Sequence, residues 1–381
     1  MNSYYFADNE LMSGGGTAMI IMDIKADNLY AFKNFHINMS YPKKIVGSSI
    51  EREYLDGREN FRYKKVNILM GSNATGKTSI GRLLMCFANY FIDGETGRFR
   101  TIINDNEKPA ELSIDFVTME DCLYRFLLHI EPGDQSPSTE VSINRVKINQ
   151  DDNYEICARK LDSGKGIKVS YEDVNTNGWS FLYPHDSLKE KIYDIIEDEE
   201  NYLYILESVL KTLDPSVEKV IKLDGVENTY AIKLNNRDVI IQDGKIADTS
   251  ILSSGTKAGL DIAYVITALM ADKHDLFYCD ELFSFVNSDI EKVCLSIIID
   301  KLNERKQLFF TTHNSDILDM QIPKHSFTFL KKNVFDEETP IKCISASEYL
   351  KRNTDSLKCA VENDLFCTAP ELDKLYELMN L

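Results

Sequence analysis

Residues Gly71-Ser72-Asn73-Ala74-Thr75-Gly76-Lys77-Thr78 of this 381-residue chain have the types and order of a phosphate-wrapping loop. A glycine, four variable residues and Gly-Lys-Thr fit that pattern at every fixed position. Gly71 and Gly76 let the backbone fold tightly, so that successive amides turn inward as an anion nest. A helix starting near Lys77 adds its positive N-terminal end. Lys77 offers a compact cation to the β- and γ-phosphates of ATP, and Thr78 offers a hydroxyl to Mg²⁺. Asn73, Ala74, Thr75 and Ser79 complete the candidate nucleotide-binding turn.

Three further segments supply what such a loop lacks. Leu276-Phe277-Tyr278-Cys279 is an apolar run ending in Asp280-Glu281. Asp280 is placed to hold Mg²⁺ through water and Glu281 to polarise an attacking water. Leu252-Ser253-Ser254-Gly255 opens a helical run from Thr256 to Ala271, a second helix N-terminus that could face phosphate. By itself it also fits an ordinary helix capped by Ser253 or Ser254. If each loop sits on its own face, one copy cannot bring both to one nucleotide. A two-fold pair is then expected, with Ser253 and Gly255 of one copy closing over the γ-phosphate held by the other. Finally, Gln307–Thr312 is an apolar strand-like run before His313, whose neutral imidazole could hydrogen-bond the γ-phosphate or the water. His36, His129, His185, His274 and His325 lack such company.

These residues need a frame. Val66–Met70 predicts a buried strand before the loop, and Ile80, Leu83, Leu84, Phe87 and Phe91 have helical spacing after it. Ala18–Met39 reads as two strands about a turn at Asp27-Asn28, and 111–117 with 122–130 as a hairpin. The stretch 131–185 is rich in turn formers, 186–212 turns helical, and strands return from Val217 to Ile246. The implied boundaries are a flexible leader 1–16, an N-terminal lobe 17–130 and an inserted, variable arm 131–215. A C-terminal lobe 216–345 and closing helices 346–381 follow.

The four segments, in this order, resemble the ABC-type ATPase heads of the SMC, double-strand-break-repair and OLD groups. Ile251–Leu260 and Thr311-Thr312-His313-Asn314 are closer still to the OLD-like stand-alone bacterial ATPases, the fifteenth of the AAA-named groups. The resemblance extends to Asn28–Phe32 and Tyr349–Leu381 and is weakest over 131–215. It implies an α/β, P-loop NTPase ABC-type head with N-terminal antiparallel strands, a parallel core sheet and an inserted helical/β arm. It also implies a homodimer or higher homo-oligomer, and a role in phage defence or toxin–antitoxin-like pairs. There a nucleotide-gated scaffold responds to a phage-encoded trigger and controls a separate effector. Three departures stand out. No glutamine lies between Ile80 and Gly133, so Asn104 or Asp105 would replace the usual Q-loop residue. Phe285–Asp289 lacks the common His-Pro. Only 68 residues follow His313, too few for the nuclease domain of OLD proteins.

The net charge of −18 disfavours nonspecific nucleic-acid binding, which needs clustered cations. A DNA-repair or DNA-end ATPase of the SMC or RecF type remains the alternative, with Arg62, Lys64, Lys65, Arg98 and Arg100 as its candidate basic strip. A transporter subunit is disfavoured by the missing glutamine and by Gly-Thr-Lys at 255–257. No apolar run reaches membrane-spanning length, no secretion signal opens the chain and the 8 cysteines form no Cys-x-x-Cys pair. A cytoplasmic location is expected.

Overall fold

A computed structural model describes residues 19–42, 48–118, 120–133, 138–176, 178–183, 196, 198–223, 225–226, 229–235, 237–242, 245–246, 252–333, 335–352, 355–367 and 376–380. The expected leader 1–16, the first part (186–195) of the expected helical stretch 186–212 and the turn at Asp243-Gly244 lie outside the described residues.

The chain begins with β1 (Ile20–Asp27), β2 (Phe35–Asn38) and the short pair β3 (Tyr54–Leu55) and β4 (Arg58–Arg62). Next come β5 (Val66–Met70), α1 (Lys77–Asp93), α2 (Gly97–Arg100), β6 (Ala110–Val117), β7 (Cys122–Ile130) and β8 (Thr139–Lys147). They are followed by α3 (Tyr154–Asp162), β9 (Ile167–Val169), β10 (Gly178–Leu182) and α4 (Glu199–Leu213). Strands β11 (Val217–Lys222), β12 (Thr229–Leu234), β13 (Arg237–Gln242) and β14 (Lys245–Ile246) form a meander. The remainder is α5 (Ser254–Met270), β15 (His274–Asp280), α6 (Ser288–Lys301), β16 (Gln307–Thr311), β17 (Phe327–Lys332), β18 (Ile341–Ser345), α7 (Ala346–Tyr349) and α8 (Leu357–Glu362).

Two six-stranded sheets organise these elements. The antiparallel one has the order β2-β1-β6-β7-β8-β9, and the core sheet β10-β15-β16-β5-β17-β18. The core sheet is parallel except for its β18 edge. Every residue of β5, β15 and β16 is buried, as expected for parallel strands covered on both faces. This is the α/β architecture expected from the sequence.

Helix α1 lies between the two sheets. Phe87 packs edge-on to Phe116 and Phe126, with ring centroids 5.2 and 5.3 Å away. On its other side Gly81 meets Tyr278 so closely that an added Cβ would fall 2.4 Å from the ring. A second core, on the opposite face of the parallel sheet, gathers residues of α4, α5, α6 and the meander. The stretch 131–215, expected as an inserted arm, contributes to both sheets: β8 and β9 widen the antiparallel one and β10 forms an edge of the core sheet.

Candidate nucleotide site

The site forms at the C-terminal ends of three neighbouring core strands. β16 lies between β5 and β15, so the phosphate loop, Asp280-Glu281 and His313 leave the sheet side by side. Open parallel sheets bind ligands at this end. Locally, Gly71 has φ +157°, and a Cβ there would meet the Leu330 carbonyl oxygen at 2.4 Å. Gly76 caps α1 with φ +96°. Ala74 takes φ 60° without being glycine, a cost the loop bears. Asn73 and Ala74 are exposed, Ser79 is half-buried, and the Thr75 hydroxyl closes the turn onto the Ser72 carbonyl at 2.8 Å.

Lys77 is buried, and its ammonium donates to the carbonyls of Gly71 at 2.9 Å and Ser72 at 3.2 Å. Its Nζ lies 4.0 Å from Glu281 Oε1. Burial pushes the lysine pKa down, while Glu281 and Asp280 act in the opposite direction. Thr78 donates to Asp280 Oδ2 at 2.6 Å, and Thr311 donates to Asp280 Oδ1 at 2.8 Å. Burial raises the Asp280 carboxyl, the two hydroxyls oppose that rise, and Glu281 adds to it. Glu281 has φ 47°, a left-handed conformation held by its amide donating to Thr311 Oγ1 at 2.9 Å. His313 Nε2 lies 2.8 Å from Glu281 Oε1.

Thus Thr78, Asp280, Glu281 and His313 form one group bonded through Thr311, with Lys77 paired in charge with Glu281 beside it. The donor set at Thr78 and Asp280 consists of hard oxygens, which fits Mg²⁺. Among the described residues no cluster of three or more His, Cys, Asp or Glu side chains could hold a metal by itself.

Ser253 and Gly255 occupy another corner. Ser253 is the N-cap of α5, its hydroxyl accepting from the Thr256 amide at 3.0 Å. Gly255 faces the loop after Glu281, where a Cβ would approach the Phe285 carbonyl oxygen to 3.1 Å. Asn104 and Asp105 are held at the β1–β2 turn: the Asn104 amide donates to the Asn28 carbonyl at 3.1 Å and the Asp105 amide to Asn28 Oδ1 at 2.9 Å.

Sequence reasoning gave no role to Thr311, which binds both Asp280 and the Glu281 amide. It also missed Tyr278, whose hydroxyl donates to the Lys77 carbonyl at 2.5 Å. Each ends or precedes the end of an apolar strand. Only the β15–β16 register, which pairs Asp280 with Thr311, reveals the first.

No family model and no curated protein matches the chain. Among solved structures it is similar to the SmcHead bound to the C-winged helix domain of ScpA, at 13% identity over 87% of this chain and 100% of that one, with TM-score 0.49. It is similar to the SMC head domain from Thermotoga maritima at 11% identity over 86% and 98%, TM-score 0.41. A third likeness is to the recombination mediator protein RecF, at 12% identity over 83% and 96%, TM-score 0.42.

Proposed function

We propose that the chain is an ATPase, cleaving ATP to ADP and phosphate with Mg²⁺, and that two copies share each nucleotide. The observation that carries this reading is the bonded group at the ends of β5, β15 and β16. In it a phosphate-loop lysine, an oxygen pair suited to Mg²⁺ and a carboxylate–imidazole pair lie side by side. Lys77 and the first amides of α1 would grip the phosphates. Mg²⁺ beside Thr78 and Asp280 would neutralise charge on the β- and γ-phosphates. Glu281 would accept the proton of the attacking water, and His313 would orient Glu281. Ser253 and Gly255 open a second helix N-terminus beside Phe285, and from there they would face the γ-phosphate bound by another copy.

The finer role is a nucleotide-gated sensor and scaffold that controls a separate effector in antiphage defence. It rests on the sequence resemblance. The DNA-end alternative expects a basic strip, yet Lys64 and Lys65 are buried and Arg98 pairs with Asp93. Among the described residues no helix is long and apolar enough to cross a membrane.

Phosphate release by the purified protein, with and without Mg²⁺, tests the ATPase. Mass measurement with a nonhydrolysable ATP analogue tests the sharing. A monomer that is fully occupied and fully active sinks the shared site, and rapid turnover indifferent to any partner sinks the gate. Stimulation of turnover by DNA would favour the alternative.

A further inference from the structure

Two residues flank His313, and a single buried carboxylate holds both. Glu291, on the first turns of α6, is 3% exposed. Its Oε1 accepts from Thr312 Oγ1 at 2.9 Å and its Oε2 from Asn314 Nδ2 at 2.6 Å. The turn is bound further within itself. The Asn314 amide donates to Thr312 Oγ1 at 3.0 Å, Asn314 Nδ2 also donates to Ser288 Oγ at 2.9 Å, and Asn314 Oδ1 accepts from the Asp316 amide at 2.9 Å. Ser288 in turn donates to Asp316 Oδ2 at 2.7 Å.

We propose that Glu291 is a positioning residue: it fixes the turn that presents the His313 imidazole to Glu281. The kinetic part of this inference rests on the ATPase reading. Two donors converge on Glu291, and only a carboxylate answers both with acceptors, since a glutamine offers one acceptor and one donor. Burying a carboxylate is costly, and burial raises the Glu291 carboxyl while Asn314 and Thr312 lower it again. An apolar side chain would fill the space without that cost but would leave the Thr312 and Asn314 donors unanswered. Helix α6 also begins directly after the loop that carries Glu281, with Asn287 as its N-cap. Glu291 therefore anchors His313 to the same frame that holds its partner carboxylate.

The test uses Glu291→Gln, which keeps the volume of the side chain, alone and combined with His313→Ala. The single variant is expected to lower kcat by about 10- to 100-fold, as a misplaced group does, with KM for ATP within about twofold of wild type. In the His313→Ala background the same substitution should change kcat little, because residues acting through one another are not additive. Independently of hydrolysis, carbethoxylation of His313 in nucleotide-free protein, followed by mass spectrometry, should speed up several-fold relative to the other histidines. An unchanged His313 modification rate overturns the proposal, as does a full additive loss in the double variant. If the wild type hydrolyses nothing, the ATPase reading fails, while the modification rate still decides the role of Glu291.

Discussion

Thr78 and Asp280 stand 202 positions apart in the chain and 2.6 Å apart in space, the hydroxyl donating to Oδ2. That contact exists because the strand order leaves only β16 between β15 and β5, so the end of one reaches the start of the helix that follows the other. Tyr278 reinforces it from below through the Lys77 carbonyl.

Lys77→Ala should weaken binding of a fluorescent ATP analogue by about 100-fold, the loss expected for charge-assisted bonds to phosphate. Equilibrium titration measures this. Tight binding by the variant would remove Lys77 from the phosphate site.

Glu281→Gln should bind ATP with near-normal affinity and hydrolyse it about 100- to 10,000-fold more slowly, the range for loss of a general base. Trapped ATP should also keep two copies together in light scattering. Turnover at the wild-type rate would show that another group takes the proton.

A mixing experiment addresses sharing directly. Lys77→Ala and Ser253→Arg should each be inactive alone. Random pairing makes half of all dimers mixed, each with one intact composite site, so an equimolar mixture should regain about a quarter of wild-type turnover. No recovery would mean that Ser253 acts within its own copy or not at all.

Lys64 offers a pH test away from the site. Burial pulls its pKa from 10.5 to about 8, with Glu348 and Cys343 opposing that shift. A lysine with a lowered folded pKa stabilises the fold fully only above its unfolded value and loses that contribution as pH falls through the folded value. Lys64→Met should therefore raise the melting temperature at pH 7, by several degrees for a penalty on the order of 3 kcal/mol. The gain should shrink between pH 8 and 10.5, the window these two values define. Thermal scans across that range check it; a pH-independent difference would show that packing, not charge, decides.

Much of this frame was legible because parallel core strands are continuous apolar runs and their ends carry the chemistry. Val66–Met70, Leu276–Cys279 and Gln307–Thr311 could be recognised by that rule alone. The stretch 131–215 was less readable. β8 is only partly buried, and although it pairs with the preceding β7, β10 joins the core sheet through β15, a partner far away in sequence. Thr311 and Glu291 were invisible for a similar reason. A single threonine or glutamate signals nothing until register and helix packing bring it to Asp280 or to the turn around His313.

The start of α5 touches the loop that follows Glu281, at Gly255 and Phe285. If two copies clasp ATP between them, that touch joins the half-site each copy lends to its neighbour with the half-site it keeps for itself. The occupancy of one pocket would then be felt in the other. Titration curves steeper than simple hyperbolas would be the outward sign of a pair that responds as one unit.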